Sequence, residues 1–105
     1  MTQPVFVVSE WLAKPGKDQE LWQCFETLLD ISLKEKGCIT ARATRQIAHP
    51  GAPGTSKFNI VLMQEYIDIQ AFDFHCQQAH VKDFFKTHIE DLVEDWTCRL
   101  FREEP

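Results

Sequence analysis

Residues 5–12, V-F-V-V-S-E-W-L, constrain this chain more than any other stretch. They are β-branched and aromatic, the composition of a strand. Strand side chains alternate between faces. Val5, Val7 and Trp11 therefore share one face with Ser9, and Phe6, Val8 and Leu12 share the other with Glu10. Both faces are largely apolar, and such a strand is covered on both sides. A chain of 105 residues has the length of one domain, expected to span 1–105. Its helices can cover one face of a sheet, and the other then needs a partner subunit. A homodimer is expected, burying Val5, Val7 or Trp11 at its interface.

The rest of the chain supplies the partners of that strand. Lys14-Pro15-Gly16-Lys17 is a turn, and Asp18 opens a helix expected to run to about Lys36. Leu21, Phe25, Leu28 and Leu29 recur on it at helical spacing, and Gly37 stops it. Residues 38–47 read as a second strand, 48–57 as a Pro/Gly loop and 58–67 as a third strand. Asp68 can cap a short helix over 69–77, and a second helix restarts at Ala79-His80 and runs to about Val93. Its apolar stripe is Val81, Phe84, Phe85, His88, Ile89 and Leu92, and residues 95–101 form a last strand. The order β-α-β-β-α-β, with the second helix broken in two, is the α+β ferredoxin-like split βαβ arrangement.

Charge and cysteines exclude several classes. The net charge is −5 and Lys and Arg are scattered, so neither nucleic acid nor an anionic membrane surface is an expected partner. No apolar stretch approaches the roughly 20 residues of a membrane span, and no signal peptide is visible, so the cytoplasm is the expected compartment. Cys24, Cys38, Cys76 and Cys98 form no C-x-x-C pair and read as small buried hydrophobes, with no metal site expected. No phosphate loop, nucleophile elbow or dinucleotide fingerprint occurs, so flavin or nicotinamide binding is not supported.

Chemistry concentrates in residues 68–85, where His75 and His80 stand five apart among phenylalanines. Histidine is the natural proton acceptor near neutral pH. His75 is either a base or a helix-end residue that packs and hydrogen-bonds. His80 either joins it or holds the start of the second helix. His88, on the apolar stripe, should face the sheet, as a core histidine or as a base lining a cavity. Glu10 lies at a wet strand end or in a pocket beside Arg42 or Arg99. Arg42, if directed into a pocket, would bind an anion. His49, in the Pro/Gly loop, is expected in solvent.

Several segments carry a family likeness: Lys14-Pro15-Gly16, Lys34-Glu35-Lys36-Gly37-Cys38, Tyr66-x-Asp68 and His75-x-x-x-x-His80-x-Lys82. In this order and spacing the chain resembles the antibiotic biosynthesis monooxygenase (ABM) family of dimeric α+β barrels along nearly its whole length. Leu33 to Cys38 is similar to the small quinol monooxygenases. Ala71-x-x-Phe74-His75, His80-x-Lys82 and Arg99-Leu100-Phe101 look similar to LsrG-like isomerases of a small phosphorylated signal molecule. The first branch implies cofactor-free oxygenation of a small quinol or polyphenol, with dioxygen as co-substrate. His75, His88 and His80 are then the candidate catalytic residues, and Glu10, Arg42, Gln64, Phe74, Phe84 and Phe85 the candidate substrate contacts. The family usually carries Glu where Gln64 stands, which leaves room for a binding module that has lost its acid. Phe74 and Phe84 or Phe85 occupy the neighbourhoods where the haem-degrading branch uses Trp and His, which argues against haem.

Overall fold

The computed structural model of the chain describes residues 3–105. Strand β1 (Val5–Ala13) leads to helix α1 (Asp18–Ser32), strands β2 (Cys38–Arg45) and β3 (Ile60–Tyr66), helix α2 (Ile69–Cys76), helix α3 (Ala79–Asp83), a π-helical turn (Phe84–His88), helix α4 (Ile89–Leu92) and strand β4 (Val93–Phe101). The sheet order is β2-β3-β1-β4, and every neighbouring pair is antiparallel. This is the α+β ferredoxin-like fold that the element order implies. Two strands come from each βαβ half, and the helices lie on one face.

Local chemistry places each element. Gly16 has φ +78°, the left-handed conformation a tight turn needs, and the Lys17 amide closes that turn on the Lys14 carbonyl at 2.9 Å. The Asp68 carboxylate accepts from the Ala71 amide at 2.8 Å and caps α2. Leu21, Phe25 and Leu29 of α1 are buried with Trp11, Ile60, Leu62, Phe84 and Leu92 in the main core. Val5, Val7 and Tyr66 form a smaller cluster under α2.

The two faces of β1 are thus reversed from the interface expected. Val5, Val7 and Trp11 are buried against this chain's own helices. Phe6, Val8, Glu10 and Leu12 point to the uncovered face, beside Met63 and Arg99 in register. Alternation alone cannot say which of two apolar faces the helices choose.

Helix α1 also stops sooner than its charge pattern implies. After Ser32 the chain tightens into i to i+3 bonds, Lys34 to Ile31 and Glu35 to Ser32, each 3.0 Å. The last helix is interrupted by the π turn. A π turn adds one residue without a matching advance, rotating the later residues by about 100°. The expected stripe is broken there: Phe84 is buried and His88 is exposed.

Gly37 fixes how the α1–β2 turn meets α2. A Cβ at this position would stand 2.4 Å from the Ala71 Cβ, so only glycine permits the approach. The Ile67 amide also donates to the Gly37 carbonyl at 2.9 Å, tying the turn to the end of β3. Gly37→Ala is expected to push α2 away and cost about 1–3 kcal/mol, the usual cost of overpacking. A lower urea midpoint with an unchanged slope would register it, and an unchanged midpoint would refute the contact.

Candidate functional site

A cavity of about 210 Å³ lies between the sheet and the helices. Its aromatic lining is Trp11, Phe25, Phe72, Phe84, Phe85 and Trp96, and its polar lining is Ser9, Ser32, Gln64 and His75, with the thiols of Cys76 and Cys98. Trp11 and Trp96 stack at 5.1 Å with planes 8° apart, and Phe85 packs on Trp96 at 5.2 Å. No Lys or Arg lines the cavity among the described residues.

Behind His75 stands a buried carboxylate. Glu35 Oε2 lies 3.0 Å from His75 Nδ1 and 3.4 Å from His80 Nε2. The Glu35 side chain is only 7% exposed, although Lys34 and Lys36 on either side are in solvent. Ser32 Oγ lies 3.0 Å from His80 Nε2. A carboxylate accepts, so His75 carries a proton on the Nδ1 that faces Glu35. The Nε2 of His75 is then the acceptor, on a residue that lines the cavity. Glu35 Oε1 is buried without a hydrogen-bond partner among the described residues.

Glu35, His75 and His80 each offer one ligand atom, all within 4.8 Å of one another, a spacing at which a cation can also be held. The hydrogen bonds observed are His75 Nδ1 with Glu35 Oε2 and His80 Nε2 with Ser32 Oγ. Sequence spacing does not reveal this cluster, because its third member comes from the α1–β2 turn.

Burial shifts the surrounding groups towards their neutral forms. Desolvation lowers the His80 pKa, with Glu35 opposing and His75 adding to the effect. It pushes the Tyr66 phenol far up, and it raises the thiols of Cys24, Cys38, Cys76 and Cys98. All four cysteines are free; Cys24, Cys38 and Cys76 are half-buried and Cys98 is exposed, so none is the buried hydrophobe the sequence suggested.

Of the residues singled out in the sequence, His75, Gln64, Phe84 and Phe85 line the cavity, and His80 stands behind it with Glu35. Four do not meet it. Glu10 is on the uncovered sheet face with Arg99 Nη2 at 3.5 Å. Arg42 is exposed on the same face, opposite Met63. Phe74 is 58% exposed, turned out on α2. His88 is exposed because the π turn rotates it away. His49 is in solvent, as the loop composition implies.

Glu35 is the candidate site residue that charge pattern hid. Its signal was positional: the inward run Leu21, Phe25, Leu29, Ser32 continues by three residues to Glu35.

The profile of the antibiotic biosynthesis monooxygenase family matches residues 4–87. The chain belongs to that family. No curated protein is a significant match. Among solved structures, a Shewanella oneidensis protein superposes with a TM-score of 0.83 at 23% identity, covering 98% of this chain and 93% of its own. A dabb family protein with a ferredoxin-like fold from Mesorhizobium loti gives 0.78 at 12% identity, covering 98% and 99%. A structure described as an antibiotic biosynthesis monooxygenase gives 0.73 at 18% identity, covering 96% and 99%. Identities this low speak for the fold.

The lowered His80 pKa carries a stability prediction. As pH falls below 6.5, the ordinary value, the unfolded chain takes up this proton before the folded protein does. Unfolding free energy should therefore be full above 6.5 and decline on acidification through the lower folded value. His80→Asn should flatten this decline in denaturant titrations run between about pH 5 and pH 7.5. An identical slope in the variant would assign the acid sensitivity elsewhere.

Proposed function

We propose that this chain is a cytoplasmic, homodimeric, cofactor-independent monooxygenase acting on a small quinol or polyphenol, with His75 as proton acceptor. The observation that carries the reading is one residue. His75 lines an aromatic cavity while its Nδ1 is held by the buried Glu35 carboxylate. That bond fixes the tautomer and ring orientation, and it stabilises the imidazolium formed when Nε2 takes a proton.

The reaction balances without a further reductant. Nε2 removes a hydroxyl proton from the quinol, and the electron-rich anion transfers electrons to dioxygen. A C–O bond forms at a ring carbon, giving a hydroperoxide. Loss of water from it breaks the O–O bond and leaves a ring carbonyl. One oxygen atom enters the ring and the other leaves as water. The ring supplies all the electrons, and the protein supplies a dry aromatic slot, one base and a fixed geometry.

Cavity size and charge support this substrate class. An apolar cavity of about 150 Å³ holds benzene, so about 210 Å³ suits a ring with a few small substituents. The isomerase alternative needs a phosphate to be bound. Among the described residues the cavity lining offers no Lys or Arg for it, and an unpaired buried phosphate is costly.

The uncovered sheet face supports the homodimer. It carries Phe6 and Val8 with Met63 and Phe101, the last two 48% and 43% exposed. A second copy packed there would cover this apolar surface. Four free cysteines fit a reducing compartment.

Oxygen uptake with a panel of benzene and naphthalene quinols tests the reading. At least one should be consumed mole for mole with dioxygen. His75→Ala should lower the rate about 10²-fold or more, and Glu35→Gln should lower it in the same direction. His49→Ala, in the loop, should not. Wild-type rates in both His75→Ala and Glu35→Gln would sink base catalysis, and no uptake with any quinol would favour a binding module. Light scattering should give twice the 12.2 kDa chain mass. A monomer at micromolar concentration would remove the dimer.

A further inference from the structure

Gln64 stands where the family usually has a carboxylate, and the structure gives the amide a defined orientation. It is buried on the cavity face of β3, two residues from Tyr66. Tyr66 donates its O–H to Gln64 Oε1 at 2.7 Å. Tyr66 is fully buried, and desolvation drives its phenol so far up that it remains a donor at any working pH. With the phenol O–H given to the amide oxygen, that end of the amide is occupied. The NH₂ group of Gln64 is therefore the end left for another partner.

That end is open. Among the described residues Nε2 has no protein acceptor, and it is not one of the buried polar atoms left without partners, which are Glu35 Oε1 and Asn59 Oδ1. Gln64 lines the cavity with His75, and the Tyr66 and His75 rings pack at 5.0 Å. The two polar groups thus meet through Tyr66 at one end of the cavity. One is a proton acceptor, His75 Nε2, and the other is a neutral donor, the Gln64 amide. A carboxylate in place of Gln64 would instead repel an anion formed on the substrate.

We propose that Gln64 is a specificity-determining residue that donates to a second oxygen on the substrate ring. Within the phenolic class proposed above, the site then favours a compact ring that also bears a conjugated oxo group, and charge leaving the hydroxyl as His75 removes its proton collects on the oxygen that Gln64 holds. Tyr66 is the positioning residue for this donor. The proposal rests on the base assigned to His75 for its catalytic consequence, but its binding consequence stands apart.

Calorimetric binding of 2- and 4-hydroxybenzaldehyde, with 4-ethylphenol as the ring lacking an oxo group, tests it without turnover. At least one aldehyde should bind the wild-type protein about 10-fold or more tighter than 4-ethylphenol, the scale of a buried hydrogen bond to a developing charge. Gln64→Leu, which cannot donate, and Gln64→Glu should both erase that preference, with 4-ethylphenol still binding to Gln64→Leu. Tyr66→Phe, which frees the amide to turn, should weaken the preference while the circular dichroism spectrum is retained. Absorbance titration of the bound aldehyde should show its phenol ionising at lower pH in the wild type than in Gln64→Glu. No preference in the wild type, or an undiminished one in both Gln64 variants, overturns the proposal. If the preference and its loss are seen but no quinol is oxidised, Gln64 keeps its role and the oxygenase reading falls. If His75→Ala abolishes turnover while Gln64→Leu leaves KM, kcat and aldehyde preference untouched, the base stands and this proposal falls.

Discussion

A carboxylate buried without a cation is the constraint on which the site depends. Moving Glu35 out of water is costly unless hydrogen bonds replace its hydration. The His75 imidazole supplies one such bond at 3.0 Å, and His80 Nε2, hydrogen-bonded to Ser32 Oγ, stands 3.4 Å from the same oxygen. This requirement accounts for the broken helix. On a continuous helix, residues five apart point about 140° away from one another, and His75 and His80 could not both stand beside Glu35. The break at Gln77 and Gln78 turns α3 relative to α2, so that the two rings meet at 5.9 Å. Gly37 completes the arrangement from the other side by letting the turn that carries Glu35 reach α2.

The order of elements was legible because local signals agree with the global fold. The turn at Gly16, the Asp68 cap and the two-sided strand each pointed the same way as the periodicity around them. The site was legible only in part. His75, Gln64, Phe84 and Phe85 lie on elements whose inward faces can be counted. Glu35 escaped because Lys34 and Lys36 flank it, and alternating charge reads as a solvated turn. Only tertiary contact with α2 makes that turn an interior one. His88 was placed on the core stripe by assuming 3.6 residues per turn through a segment that has a π turn. Glu10 and Arg42 were pocket candidates for want of the one fact periodicity cannot give, which sheet face the helices take.

The two faces of the sheet differ in kind. The helix-covered face is aromatic and neutral within, with hydrogen-bonding groups gathered at one end. The uncovered face mixes apolar side chains with Glu10, Arg42 and Arg99. Charges placed on that face leave the cavity free of fixed ions. An imidazole and an amide in an apolar space free of fixed ions interact with a bound polar group more strongly than they would in water.

The π turn, which misled the count at His88, shapes the cavity wall. In a regular helix, adjacent residues point about 100° apart, so Phe84 and Phe85 would not both lie on one neighbour. Widening the backbone here brings both rings onto Trp11, Phe84 edge-on at 5.6 Å and Phe85 at 6.4 Å. Phe85 then also reaches Trp96 at 5.2 Å on the edge strand β4. Phe85 and Trp96 are 40% and 39% exposed, whereas Phe84 and Trp11 are buried. The sequence of contacts Phe84, Trp11, Trp96, Phe85 thus grades from closed core to open rim, and it makes Phe85 and Trp96 the rings an entering molecule meets first. The helix gives up regular hydrogen bonding at that turn, and the gain is an aromatic wall continuous from the core to the mouth of the cavity.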